Sequence, residues 1–317
     1  MAHQGAGRFA PSPSGRLHVG NLRTAVLAWL FARSTGRDFL VRVEDLDRVR
    51  AGAEEDQLAE LAALGLVPDA PVIRQSGQAG RYAEALDLLT GRGLVYECFC
   101  TRRDIAEAAS APHARPGFYP GTCRNLGEDQ RSVLRARRPP ALRLRSGVES
   151  WTVEDLLAGQ VTAPVDDLVL RRNDGVVAYN LAVVVDDAAQ GIDQVVRGDD
   201  LLDSAPRQAY LASLLGLPVP VYAHVPLAVS LEGRRLAKRD GAVTLEDLAG
   251  PGWTPARVLD VILASLGLPG RSLEAALAAF DPDRLPREPW TVDPATLFPA
   301  SAAPACKPSA PTDKVSS

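Results

Sequence analysis

Arg8-Phe-Ala-Pro-Ser-Pro-Ser-Gly-Arg-Leu-His18-Val-Gly20-Asn21 is the stretch on which the fold depends. A short apolar strand ends at Phe9-Ala10, and a Pro/Ser/Gly turn runs from Pro11 to Gly15. An apolar-rich helix is then predicted from about Val19 to Ser34, with Gly36 as its stop. Two prolines stiffen the turn, and His18 and Gly20 fall at the helix start. Free N–H groups at a helix start attract phosphate, and a glycine there lets a purine or ribose approach the backbone closely. His18 could then donate a hydrogen bond to a phosphoryl oxygen that gains charge during a reaction. A bare H-x-G-x carries little by itself, since a capped turn with an incidental histidine has the same pattern. The preceding Gly5-Ala-Gly7-Arg-Phe-Ala10 matches G-x-G-x-x-A, but no strand precedes it, so the dinucleotide reading lacks its structural context.

Outward from this stretch, β-rich runs alternate with amphipathic helical ones. Phe39-Leu-Val-Arg-Val43 reads as a buried parallel strand. Helices are predicted over Ala53–Leu64 and Ala79–Thr90, the second leading into Leu94-Val-Tyr96, and this alternation implies a right-handed βαβ sheet. From 97 to about 165 the pattern breaks into Cys-, Pro- and Arg-rich segments, which suggests an insertion. Alternation resumes with Gly175-Val-Val-Ala-Tyr179, the helical Asn180–Asp187, Gln194-Val-Val196 and a helix over Leu201–Leu215 with Pro206 near its first turn. Two more helical stretches follow, Pro255–Leu266 and Ser272–Phe280. The Ala/Pro/Ser/Lys-rich tail from about 301, Cys306 included, reads as disordered. The organisation expected is an α/β Rossmann-type core whose halves are 1–95 and 166–245. A 96–165 insertion, a short helical appendage at 246–300 and a 301–317 tail complete it.

Length and charge bound the partners. The 317 residues suggest about two domains. No apolar run approaches the ~18 residues of a membrane span and no signal peptide is recognisable, so a cytoplasmic protein without a membrane partner is expected. The net charge of −4 is unevenly spread. Residues 1–150 carry 21 Arg/Lys against 17 Asp/Glu, whereas 151–317 carry 14 against 22. Within 92–145 there are 11 Arg against 5 acids, six of the arginines falling between Arg131 and Arg145. Such a run is either a solvated face or a phosphate-binding surface, because backbone contacts need only a local positive field. Three of the four cysteines cluster at Cys98, Cys100 and Cys123, which reads as metal rather than disulfide. Ligand chemistry alone would choose His113 as the fourth ligand, because phenolate oxygen is an uncommon one.

The stretch Arg8 to Arg33, followed by Val41-Arg-Val-Glu-Asp-Leu-Asp-Arg48, resembles the catalytic domain of class I aminoacyl-tRNA synthetases of the glutamyl type. His18-Val-Gly-Asn21 stands where that family has its HIGH signature, with Asn21 replacing the last histidine. The resemblance continues through Asp174-Gly-Val-Val-Ala-Tyr179-Asn-Leu-Ala-Val-Val-Val-Asp-Asp187 and Val195-Val-Arg197-Gly-Asp-Asp-Leu-Leu202. It ends at Arg235-Leu-Ala-Lys238-Arg239, which looks like the KMSKS loop with Arg235 for the first Lys and Ala237 for the Ser. About residues 8–245 are covered, in order.

The resemblance implies site residues. His18 and Lys238 would be catalytic, Lys238 neutralising the β- and γ-phosphates as pyrophosphate departs. His18, Gly20, Asn21 and Lys238 would bind ATP, which comes with Mg²⁺. Arg8, Phe9, Ala10, Pro11, Ser12, Glu44, Tyr179 and Arg197 would form a glutamate site. In it Glu44 suits the α-ammonium group and the arginines hold carboxylates; which arginine meets which carboxylate stays open. The pattern Cys98, Cys100, Tyr119 and Cys123 looks like the zinc site of the glutamyl-Q tRNA(Asp) synthetase branch, so the resemblance implies Tyr119 where ligand chemistry suggests His113. Only 78 residues follow Arg239, too few for the helical anticodon-binding region of a full glutamyl-tRNA synthetase. That branch activates L-glutamate without tRNA and transfers it to the cyclopentene ring of queuosine at the wobble position of tRNA(Asp), as a monomer. The alternatives are a truncated synthetase charging a tRNA 3′ end, a small-molecule nucleotidyltransferase of the superfamily, and a non-catalytic binding paralogue.

Overall fold

The computed structural model describes residues 5–101, 103–105, 118–236, 243–250, 252–270 and 272–293. The first half runs β1 (Ala6–Phe9), α1 (Val19–Ser34), β2 (Asp38–Val43), α2 (Ala53–Ala63), β3 (Ile73–Arg74), α3 (Ala79–Gly91) and β4 (Val95–Cys98). Then come α4 (Glu128–Arg135), β5 (Ala141–Leu144), β6 (Ser150–Asp155), β7 (Gly159–Pro164) and β8 (Val169–Arg171). The second half has α5 (Tyr179–Ala189), β9 (Ile192–Gly198), α6 (Ala205–Leu215), β10 (Val221–Val225) and β11 (Ala228–Val229). It closes with α7 (Leu245–Ala249), α8 (Pro255–Ser265), α9 (Leu273–Ala278) and β12 (Trp290–Thr291).

The main sheet orders as β3-β2-β1-β9-β10-β6-β7, parallel throughout except that β7 returns antiparallel to β6. Helix α1 lies against its centre and is buried from Val19 to Ala32 at nearly every position, which explains why its sequence is apolar all round rather than striped. On its other side pack α8 and α9, with Phe31 and Phe280 edge to face at 5.1 Å. Pro206 falls within the first turn of α6, where its missing N–H costs nothing. Order reverses between β1 and β9, and at such a switch point the carboxyl ends of the strands open a crevice.

Three features differ from the sequence expectations. Leu94-Val-Tyr96 does not enter the parallel sheet: β4 pairs antiparallel with β5, which pairs antiparallel with β8 in a separate sheet. Residues 175–178 form a turn with a single bridge, Val177 to Arg171, rather than a strand, and Tyr179 already begins α5. Within the 96–165 span, β6 and β7 extend the main sheet beyond β10, while β8 lies past that span and completes the small sheet. Alternating hydrophobicity specifies an extended segment and one buried face, but not the partner that will pair with it. The 301–317 tail, Cys306, His113, Ala237, Lys238 and Arg239 lie outside the described residues. Gly5 to Ala10 lead into and form β1 itself, so no phosphate-binding turn exists there. Among the described residues no helix is long and apolar enough to cross a membrane.

Candidate functional site

A cleft of about 1940 Å³ opens at the carboxyl ends of the central strands. It is lined by Arg8 to Ser12 at the end of β1 and just after it, His18, Gly20 and Asn21 at the start of α1, Glu44 after β2, Tyr179 at the start of α5, and Arg197 at the end of β9. Every described residue that the sequence assigned to glutamate or ATP therefore borders one cavity.

The loop between β1 and α1 is clamped rather than loose. Gln57 on α2 donates to the carbonyls of Ser12 (3.0 Å) and Gly15 (2.6 Å), and Glu60 accepts from the N–H of Leu17 (2.9 Å). The loop's carbonyls in turn hold the segment after β2, through Glu44 N–H to Pro11 (2.9 Å) and Arg50 N–H to Pro13 (2.8 Å). His18 then caps α1. Its Nδ1 accepts from the N–H of Asn21 (3.2 Å), and the Asn21 carboxamide oxygen accepts from the N–H of His18 (3.3 Å). With Nδ1 used as an acceptor, a neutral His18 carries its proton on Nε2. Burial and the nearby Arg235 push its pKa down to about 4. Gly20 has a tighter reason than ligand approach: a Cβ there would stand 2.9 Å from Ala228 Cβ and 3.0 Å from His18 Nδ1.

Three buried arginines stand on the adjacent strands β2, β1 and β9. Arg42 reaches Asp187 (2.7 Å), Glu44 (3.5 Å) and Asp186 (3.7 Å), and Arg8 reaches Asp187 at 3.2 Å. Asp186 also accepts from the Tyr82 hydroxyl and from Gln75 (2.8 Å). Burial pushes the Glu44 carboxyl up, against the pull of Arg42 and Arg8. Asp187, equally buried, is held low by Arg8 and Arg42 together. The third arginine differs. Arg197, 5% exposed, donates to His224 Nε2 (3.0 Å), to Gln208 Oε1 (2.8 Å) and to the Leu201 carbonyl (3.4 Å), all of them neutral acceptors.

Cys98, Cys100 and Cys123 converge at the end of β4, their three sulfurs within 4.8 Å of one another, so the cluster could hold a metal ion. Tyr119 joins them: its hydroxyl oxygen lies 3.3 Å from Cys98 Sγ and 3.7 Å from Cys100 Sγ, and accepts from the Cys123 N–H at 2.8 Å. The Arg143 guanidinium lies 3.7 Å over the Tyr119 ring. Burial opposes ionisation of Cys98, yet contacts with Tyr119, the Cys100 N–H and Arg143 hold its thiol below the usual value. Burial and the neighbouring Cys98 and Cys123 sulfurs push Cys100 up to about 12, against the pull of the Tyr119 hydroxyl.

The arginine run is largely spent inside the fold. Arg131 pairs with Glu128, and Arg135 with Glu97 and Glu128. Arg143 donates to the Asp167 carbonyl, and Arg145 donates to the Arg124 carbonyl and lies over Tyr96. Arg137 is exposed and Arg138 half-buried, outside these pairings. Sequence reasoning missed Arg42, Gln57, Asp155, Gln208 and His224. Arg42 lies in the quoted Val41–Arg48 stretch but the others belong to no local motif, and each acts on a partner at least 11 residues away.

Residues 6–281 match the family described as tRNA synthetases class I (E and Q), catalytic domain. The chain is 62% identical over 301 residues to the glutamyl-Q tRNA(Asp) synthetase of Nocardia farcinica, covering 95% of this chain and 97% of that one. It is 43% identical over 314 residues to the glutamyl-Q tRNA(Asp) synthetase of Symbiobacterium thermophilum, covering 92% and 97%. Among solved structures it is similar to a glutamate tRNA ligase from Elizabethkingia meningosepticum in complex with its amino acid. That likeness has a TM-score of 0.76 at 26% identity, over 92% of this chain and 67% of that one. The glutamate-tRNA synthetase of Elizabethkingia anophelis is similar with a TM-score of 0.78 at 26% identity, over 93% and 69%.

Proposed function

The chain belongs to the glutamyl-Q tRNA(Asp) synthetases, a branch of the class I synthetase family of the glutamyl and glutaminyl type, and from that membership we propose how its cleft works. The activity is ATP-dependent activation of L-glutamate to glutamyl-adenylate, followed by transfer of the glutamyl group to queuosine in tRNA(Asp).

Arg197 carries the substrate reading. A buried guanidinium whose acceptors are all neutral keeps its full charge for a carboxylate, and its planar fork suits bidentate contact. Arg8 is already paired with Asp187. Arg197 therefore takes the side-chain carboxylate, which stays ionised through both steps. The Arg8, Arg42, Asp186, Asp187 and Glu44 cluster sets three carboxyl groups against two guanidiniums, and the substrate ammonium at Glu44 balances it. The α-carboxylate then faces the start of α1.

There an α-carboxylate oxygen attacks the α-phosphorus of ATP, the bond to the β-phosphate oxygen breaks, and pyrophosphate leaves. Negative charge grows on phosphoryl oxygens beside the His18 Nε2–H and the helix N-terminus, which stabilise it without reorganising. Lys238 is the cation assigned to the departing phosphates, and Mg²⁺ enters with ATP. In the second step the queuosine hydroxyl oxygen attacks the mixed-anhydride carbonyl and AMP leaves. Arg137 and Arg138 supply positive charge for the tRNA backbone.

The cysteine cluster suits zinc. With Zn–S near ~2.3 Å and Zn–O near ~2.0 Å, a tetrahedral ion needs S···S edges of about 3.8 Å and S···O edges of about 3.5 Å. Cys100 and Cys123 sulfurs are 3.6 Å apart, and the two thiol contacts of Tyr119 are 3.3 and 3.7 Å. Cys98, Cys100, Tyr119 and Cys123 would hold it as a structural crosslink bordering the cleft.

The deciding experiment offers labelled glutamate and ATP with queuosine-bearing tRNA(Asp), unmodified tRNA(Asp) and tRNA(Glu). Label on the first alone is expected, with glutamate-dependent pyrophosphate exchange in the absence of any tRNA. Label on tRNA(Glu), or equal label on both tRNA(Asp) forms, would overturn the assignment.

A further inference from the structure

Arg197 sits at the end of a buried chain of polar groups that reaches across three strands of the main sheet. Asp155, the last residue of β6, accepts from the backbone N–H groups of Leu157 and Ala158, both at 2.9 Å, and of His224 at 3.1 Å. Its carboxylate also lies 2.6 Å from His224 Nδ1. Both side chains are fully buried. Burial works against the Asp155 charge, but the imidazole and these N–H donors hold its carboxyl below the usual range, so Asp155 is ionised and can only accept. Nδ1 of His224 must then be the protonated nitrogen. That leaves Nε2 with its lone pair directed at Arg197 Nε, 3.0 Å away. The tautomer follows from the contacts.

We propose that His224, oriented by Asp155, is a positioning residue for Arg197 and thereby sets the preference for glutamate over glutamine. The proposal rests on the assignment of Arg197 to the substrate side-chain carboxylate. Its logic is one of charge. A carboxylate touching Arg197 directly would hold it in place but neutralise it, and a half-neutralised guanidinium discriminates poorly between a carboxylate and a carboxamide. A neutral imidazole fixes the same N–H and leaves the charge intact. Gln208 does the same at the next nitrogen, and is itself held by donating to Asn180 Oδ1 at 3.0 Å. With three of the five guanidinium N–H groups so used, two remain for the substrate. The anion that orients the system, Asp155, is kept one ring away from the cation it serves.

Acid should undo the arrangement. A proton on His224 Nε2 would set donor against donor and cation against cation. The charged groups facing the ring are Asp155 from β6, Arg197 from β9 and Asp199 just beyond it, with Tyr222 stacked at 5.9 Å. Burial and Arg197 outweigh the carboxylates and hold the imidazole below its ordinary value, so it is neutral at neutral pH.

The test uses glutamate-dependent ATP–pyrophosphate exchange on the full chain. His224→Asn keeps a group near Nδ1 but places nothing near Nε2, whereas His224→Gln keeps an acceptor near Nε2. For H224N the KM for glutamate should rise about tenfold or more, the cost of stranding a buried donor, and the glutamate-to-glutamine ratio of kcat/KM should fall. KM for ATP should stay within about twofold, and H224Q should restore the glutamate KM to within about threefold. KM is independent of the folded fraction, so misfolding alone does not imitate this result. An unchanged glutamate KM and ratio in H224N, or equal losses in H224N and H224Q, would overturn the proposal. Arg197→Ala separates it from the reading it rests on. If R197A raises the glutamate KM while H224N does not, only the positioning role falls; if R197A leaves KM unchanged, the Arg197 assignment falls and takes this inference with it. Should H224N not fold, the pH profile decides between pH 7 and 4.5, which reaches to the acid side of the ordinary imidazole value. A glutamate KM that rises with acid in the unaltered protein and is flat in H224Q supports the proposal, and parallel profiles overturn it.

Discussion

Asn21 and His18 cap each other at the start of α1, each side chain bonding the other's backbone N–H, at 3.2 and 3.3 Å. The carboxamide oxygen of the asparagine that stands at a signature histidine position is thus engaged by the helix start. Removing it with Asn21→Ala should cost about 1 kcal/mol in urea unfolding, the worth of a capping interaction. It should change adenylate formation little, because the His18 ring accepts from the backbone N–H of residue 21, which alanine keeps. His18→Ala should slow pyrophosphate exchange by about a hundredfold or more with little change in the glutamate KM. Stability unchanged in N21A, or exchange unchanged in H18A, would remove these roles.

The same contacts give a pH dependence. An unfolded His18 takes up its proton near its ordinary pKa of 6.5, while the folded one resists until about 4. The unfolded state therefore binds more protons in that window. The contribution is fully present above 6.5 and is lost as pH falls toward 4, by at most about 3 kcal/mol. Urea midpoints measured at pH 7, 5.5 and 4.5 should fall, and fall less steeply in His18→Asn. Equal slopes in the two proteins would show that His18 does not titrate as its burial requires.

Arg42 shares Asp187 with Arg8 and also faces Glu44 and Asp186. It is fully buried, so Arg42→Met would leave carboxylates without their common cation. A loss of about 3–5 kcal/mol in chemical denaturation is expected. A variant as stable as the parent would show that these carboxyls are protonated in the folded state.

How far the sequence reveals such arrangements depends on the range of the signal. Helix α1 is legible to its end residues because its cap, its apolar run and its stop all lie within 18–36. The loop after β1, Glu44, Tyr179 and Arg197 are legible because their motifs are local, even though folding gathers them. The partner of β4 is not legible: Val95 pairs with Leu144 across a connection whose spacing carries no pattern. Nor is the Asp155–His224 pair, 69 residues apart, in which one residue looks like a strand end and the other like a core histidine. The arginine run misleads for the opposite reason. Its local density suggests a single phosphate-binding face, yet Glu97, Glu128 and the Asp167 carbonyl engage much of it.

If the cysteine cluster holds zinc as proposed, the choice of fourth ligand between Tyr119 and His113 can be tested. Purified chain should carry one zinc per molecule, removable by a strong chelator with loss of the fold around β4. Tyr119→Phe should weaken zinc retention by about tenfold or more, since the hydroxyl meets two of the thiols and the Cys123 N–H. His113→Ala should leave it unchanged. The reverse pattern in a competition titration would make His113 the ligand.

Arg137 and Arg138 test where the tRNA lies. Their neighbours in the run are committed: Arg131 and Arg135 to glutamates, Arg143 and Arg145 to backbone carbonyls. A phosphate contact from a guanidinium releases a counterion, so Arg137 should contribute about one unit to the salt dependence of tRNA binding, and Arg138, which also faces Asp104, up to as much. The double substitution Arg137→Ala with Arg138→Ala should weaken tRNA(Asp) binding and flatten the plot of log affinity against log salt by up to about two units. Glutamate-dependent pyrophosphate exchange needs no tRNA and should not change. Arg135→Ala should instead lower stability with little effect on the salt slope, because its guanidinium is already held between Glu97 and Glu128. If Arg135→Ala flattens the slope as much as the double variant does, the run acts as one surface and its ion pairs open when tRNA binds.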